Sequence, residues 1–174
     1  RLSRRYVRSR SAGARRRARV RAPIDYRLSR AAHRMVFAPG SLGFRAGTAV
    51  YRRVDGTVLA RPLHALEQLG KLPLYDCRDC GDCSLPELAY LCPESQCAKN
   101  ERNGPCGGSS AGRCETLERE CVWARAYERL KAWGEEDRML ERPPVVADNA
   151  LRHMSAWANT FLRRDHVAAG QQTG

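Results

Sequence analysis

Apolar residues recur at helical spacing along most of the chain and give little strand signal. Pro23 opens a first predicted helix, with Asp25 near its start. Leu28, Ala31, Ala32, Met35 and Val36 share one side of it, and Pro39-Gly40 ends it. A weaker segment runs from Leu42 to Tyr51, and Asp55-Gly56 marks a turn after it. Pro62 suits the first position of the next helix. Leu63, Leu66 and Leu69 form its apolar stripe and Gly70 closes it. From about Leu117 a longer helix is predicted, with Leu117, Cys121, Ala124, Tyr127 or Glu128, and Leu130 facing inward and Gly134 as its stop. Pro143-Pro144 breaks the chain. A last helix over 149–162 then sets Leu151, Met154, Trp157, Ala158 and Phe161 on one side. The final two helices are expected to form the only sizeable core, and the predicted fold class is mainly α.

Between them, residues 76–121 follow no helical or strand period. Glycines at 81, 104, 107, 108 and 112 and prolines at 86, 93 and 105 exclude one long element. The segment is expected to be loops wrapped on a ligand, with a short helical piece near Leu85–Leu91. It offers few apolar residues, so it is expected to fold only with metal. Four regions result: a basic disordered arm (1–21), a helical linker region (22–72), a small cysteine-rich metal-binding domain of loops and short helices packed with the C-terminal helices (73–165), and a disordered tail (166–174).

Charge changes the picture at one end only. The net charge is +12, and residues 1–34 hold 13 arginines against Asp25, so the remaining residues balance to zero. The basicity belongs to the arm. Arginine outnumbers lysine 28 to 3, a ratio that genome composition explains as well as phosphate binding does. The neutral body argues against a nucleic-acid module, and its aromatics fall at helical spacings that suit a core. No stretch is long and apolar enough for a membrane span, and no apolar segment follows the basic start as in a secretory signal. The expected location is the cytoplasm. A chain that begins at Arg1 is expected to be a fragment or the C-terminal part of a longer protein.

The chemistry lies in eight cysteines: Cys77, Cys80, Cys83, Cys92, Cys97, Cys106, Cys114 and Cys121. In a reducing compartment such spacing points to metal rather than disulfides. The opening C-x2-C-x2-C lets thiolates converge on one cubane, and four thiolates hold such a cluster. Cys92-Pro93 comes too late for the ferredoxin run. The simplest grouping is sequential, Cys77, Cys80, Cys83 and Cys92 for one cluster and Cys97, Cys106, Cys114 and Cys121 for another, with crossed ligation left open. Two [4Fe-4S] clusters are the first reading. Two tetrahedral zinc sites are the alternative, although the second half lacks the C-x2-C knuckle that zinc favours. Asp76, Asp79 and Asp82 alternate with the first cysteines. As carboxylates beside a cluster they would lower its potential; as solvated loop residues they would do nothing. His33, His64, His153 and His166 lie outside the cysteine region and read as surface or packing residues.

The stretches Asp76–Pro86, Leu91–Asn100 and Asn103–Gly108, with Glu120–Tyr127, resemble the C-terminal domain family of methylenetetrahydrofolate reductase over about residues 60–165. The resemblance implies a cysteine-rich accessory domain, beside or fused downstream of a flavin-dependent reductase barrel in one-carbon and folate metabolism. It implies metal, with iron–sulfur clusters or zinc in related small subunits. The barrel performs the hydride chemistry, so this chain is not expected to be catalytic alone, and no flavin or folate contact is placed on it. Two functions follow as expectations: one-electron relay to the partner's flavin, or a zinc scaffold that docks the barrel.

Overall fold

The computed structural model describes residues 26–116, 119–141, 145–146 and 148–168. The arginine arm lies outside these residues, as does the end of the tail.

The described chain is mainly α. Helices α1 (Tyr26–Phe37), α2 (Leu42–Val54) and α3 (Ala60–Tyr75) come first. Ser41 caps α2, its side chain accepting the Phe44 N–H at 3.0 Å, which satisfies a backbone donor the helix leaves orphaned. Gly43 lets α2 meet the end of α1 at backbone contact, since a Cβ there would lie 2.6 Å from the Met35 carbonyl oxygen. One turn on, a Cβ at Gly47 would lie 2.5 Å from the Phe161 ring. That ring stacks on Phe37 and Tyr51 at centroid distances of 5.1 and 5.5 Å, and with Ala158 and Leu63 they form one core.

The second and larger core is built in large part from the cysteine region itself. Leu85, Leu88, Ala89, Tyr90, Leu91 and Cys92 pack against Val122, Trp123, Ala126 and Leu130 of α5 (Val122–Lys131), with Tyr26 of α1 joining them. The segment 85–91 is therefore not the short helix its sequence suggests. It is a set of turns closed by a 2.7 Å bond from the Tyr90 N–H to the Leu85 carbonyl, with Ala89 and Tyr90 in the left-handed region. Between Cys92 and α5 the chain forms a single helical turn, α4 (Pro93–Gln96), and a two-stranded hairpin, β1 (Ser109–Ser110) with β2 (Arg113–Cys114), in register Ser109 opposite Cys114.

Four further expectations change. Helix α5 begins at Val122 with Cys121 as its N-cap, and Trp123 rather than Tyr127 turns inward. The last helix is split into a 3-10 turn at Asn149–Leu151 and α6 (Ala156–Phe161). These two helices serve different cores, so they do not form the only one, and Trp157 is half-buried. His166 and Ala168 are buried, so the chain is still packed where a disordered tail was expected to begin.

Helix α3 departs furthest from expectation. It passes Gly70 and runs to Tyr75, and its orientation reverses the amphipathic rule. Leu66 and Leu69 are 58% and 73% exposed, while Glu67 and Lys71 are buried. The polar face turns inward because that side meets the cysteine loop.

Candidate metal centre

Residues 76–83 leave α3 through Asp76 and turn again at Asp79 and Gly81, all three in the left-handed region. Remote parts of the chain grip the residues between the cysteines. The Asp79 carboxylate is 2.8 Å from His64 Nε2, accepts from Gln68 Nε2 at 2.8 Å, and lies 3.4 Å from His153 Nδ1. The Asp79 carbonyl accepts the His153 N–H at 3.0 Å. Gly81 fits against the 149–159 segment, where a Cβ would sit 1.7 Å from the Leu151 carbonyl oxygen. Its own carbonyl accepts from Asn159 Nδ2 at 2.7 Å. Buried Asp82 meets His166 Nδ1 at 2.6 Å, and its carbonyl accepts from Arg102 at 3.1 Å. Asp79 and Asp82 are thus partnered, and the histidines are packing or surface residues as expected: His64 and His166 pack on the loop, and exposed His153 reaches Asp79 from outside. Asp76 alone is exposed, paired with Arg78.

This bracing aims Cys77, Cys80, Cys83 and Cys92 into one recess, walled by Tyr75, Leu85, Pro93 and Ala156. The Asp79 N–H points at Cys77 Sγ at 3.4 Å, and Cys80 Sγ donates to the Asp82 carbonyl at 3.2 Å. Burial pushes the thiols of Cys77, Cys80 and Cys92 up, and that of Cys83 to about 11, against a pull downward from the Lys71 charge on Cys77 and Cys83. These thiols keep their protons at neutral pH until something replaces them, and metal would do so by releasing protons.

Two buried cations flank the recess. Lys71 is 2.8 Å from Glu67 Oε1, and the other Glu67 oxygen accepts from Ser155 Oγ at 2.6 Å and from the Trp157 N–H at 3.3 Å. Arg102 pairs with Glu94, and its charge lowers the Cys80 thiol against burial. The charge around the recess is therefore not the three-carboxylate field expected from the loop sequence.

The second four cysteines lie on the hairpin and its flanks. Cys97 ends α4, Cys114 sits in β2 and Cys121 caps α5. The Cys114 N–H bonds to the Arg119 carbonyl at 3.0 Å and the Cys121 N–H to the Gly112 carbonyl at 2.8 Å, folding both back on the hairpin. The N–H groups of Glu101 and Gly108 point at Cys97 and Cys106 Sγ at 3.5 and 3.4 Å. Exposed Lys99 is held above its ordinary value, first by its hydrogen bond to Glu115 and then by Cys106.

All eight cysteines are free thiols. Among the described residues no group of three or more His, Cys, Asp or Glu is set to hold a metal ion as it stands. The first recess nonetheless fits a thiolate-held group by its chemistry: four soft sulfur donors, apolar walls, a backbone N–H on a sulfur and buried positive charge. Sequence reasoning missed Glu67, Lys71, Arg102 and Asn159. One signal was present for Lys71: it is one of three lysines in a chain that otherwise uses arginine, four residues after a glutamate on the same helix.

The family model described as "Methylene-tetrahydrofolate reductase C terminal" matches residues 58–149, which span α3 through α5 and every cysteine. No curated protein and no solved structure matches the chain. No helix among the described residues is long and apolar enough to cross a membrane.

Proposed function

The chain belongs to the methylene-tetrahydrofolate reductase C-terminal family, and on that premise we propose that it is the metal-bearing accessory domain of such a reductase, passing single electrons to a flavin-carrying partner barrel. The observation that carries this reading is the single recess that Cys77, Cys80, Cys83 and Cys92 all line. These four would hold one [4Fe-4S] cluster; Cys97, Cys106, Cys114 and Cys121 would hold the other. Such clusters supply one-electron exchange. A flavin suits the far side of the junction, because it exchanges one electron with a cluster or a hydride with a substrate.

The chain's own contribution is positional and electrostatic. The Asp79, Gly81 and Asp82 contacts fix the backbone of the loop that presents three of the thiols. Apolar side chains, those of Leu85, Pro93 and Ala156, line the recess beside the sulfurs. The proposed role is relay to the partner's flavin, with the turnover of folate on the barrel.

Anaerobically purified protein analysed for iron, sulfide and zinc, with its absorption spectrum, tests this. Brown protein carrying iron and sulfide, bleached in part by dithionite, is expected. Colourless protein with zinc would replace the relay by the zinc scaffold that docks the barrel.

A further inference from the structure

We infer that Lys71 is the built-in counter-charge of the Cys77–Cys80–Cys83–Cys92 recess, a buried ammonium placed to hold a negatively charged metal–thiolate group. The inference rests on the reading that these four thiols bind metal, whichever metal it is.

Lys71 lines the same recess as the four cysteines, on the inward face of α3 one turn before Tyr75. It is 7% exposed, a depth at which a lysine is rarely found unless paired. Its pairing uses one of its three N–H donors, on Glu67 at 2.8 Å; the other two have no hydrogen-bond partner among the described residues. Glu67 is spoken for: Lys71 occupies one carboxylate oxygen, Ser155 and the Trp157 N–H the other. Glu67 therefore anchors the ammonium without using up its donors. A buried ammonium with unspent donors beside four thiols is an arrangement for an anion. Four thiolates around iron–sulfur or zinc supply one, and its charge becomes more negative on reduction. The Glu67 carboxylate at 2.8 Å is the anion that lets the ammonium sit at this depth. Helix α3 accordingly turns Glu67 and Lys71 inward even though Leu66, Leu69 and Leu72 are left in solvent.

The test compares wild type, Lys71→Arg and the double variant Glu67→Gln/Lys71→Met, which removes the cation without stranding a buried carboxylate. Metal analysis of the wild type comes first and by itself decides between iron and zinc. In iron-loaded protein the readout is a redox titration with dithionite and mediators, with one electron entering the cluster. The double variant should be harder to reduce, with the reduced-to-oxidised ratio at a fixed ambient potential falling about tenfold, which is about 59 mV for one electron. In zinc-loaded protein the readout is competition with a chromophoric chelator, and zinc affinity should fall about tenfold. Lys71→Arg should restore either property most of the way, because it keeps the charge. A double variant that folds, holds the same metal and shows neither change would overturn the inference, and so would an equal change in Lys71→Arg.

Discussion

At the scale of single residues, the cysteine loop is defined by what sits between the thiols. Asp82 is the clearest case. It is buried beside Cys83 and meets His166, whose second ring nitrogen lies 3.4 Å from Glu87. Burial alone would lower the His166 pKa, but the hydrogen bonds to Asp82 and Glu87 and their charges outweigh it and lift it to about 9 from an ordinary 6.5. A raised folded-state value means the charged imidazole stabilises the fold. The contribution is complete below about pH 6.5, declines as pH rises, and is gone above about 9. A gap of that size amounts to about 3 kcal/mol. Urea unfolding of wild type and His166→Gln should therefore show a stability difference near pH 6 that shrinks toward zero near pH 10. A difference independent of pH would show that His166 acts by shape alone.

At the scale of elements, α3 and α5 make opposite uses of the same helical period. In α5 the apolar face is inside. Trp123 is 2% exposed and its indole N–H donates to the Glu101 carbonyl at 3.1 Å. Trp123→Ala should cost about 3–5 kcal/mol, and Trp157→Ala, at a half-buried site, clearly less. Equal costs in thermal or urea unfolding would contradict this assignment of the cores. In α3, Leu66, Leu69 and Leu72 lie outside. Leu69→Gln should change stability by no more than about 0.5 kcal/mol. Glu67→Ala, which leaves the Lys71 charge buried without its partner, should cost about 3–5 kcal/mol. A large loss at Leu69 with little at Glu67 would restore the ordinary orientation of the helix.

At the scale of the whole molecule, burial is uneven across the cysteine region, and this revises how the fold depends on metal. Residues 85–92 supply much of the larger core, so they have packing of their own. Among the described residues from 97 to 121, Arg102 alone is buried. Stripping metal with a chelator should therefore open 97–121 to protease and hydrogen exchange while Leu85–Cys92 and α5 stay protected. Loss of protection in both segments together would return to the expectation that the entire region 76–121 needs its metal. Persistence of both would mean that metal is not structural in the hairpin.

Local regularities carried much of this into the sequence. The C-x2-C-x2-C spacing, with Cys92 following, marked four residues that do share one recess, because a short loop between thiols limits how far apart they can fall. Proline, glycine and helical period marked α1, the mainly α class and the irregular stretch between. What the sequence could not supply was which side of α3 turns inward, since period tells which residues share a face and not what that face meets. Nor could it bring His64, His153 and His166 to Asp79 and Asp82, or Lys71 to the thiols. The His153 and His166 pairings join positions 74 and 84 residues apart, and the pairings of α3 with the loop depend on which side of the helix faces it; two packed cores, one on Phe161 and one on Trp123, include residues of α3, the loop and the C-terminal segment. Burial then makes each pairing matter, because a charge taken out of water must find its partner within the fold.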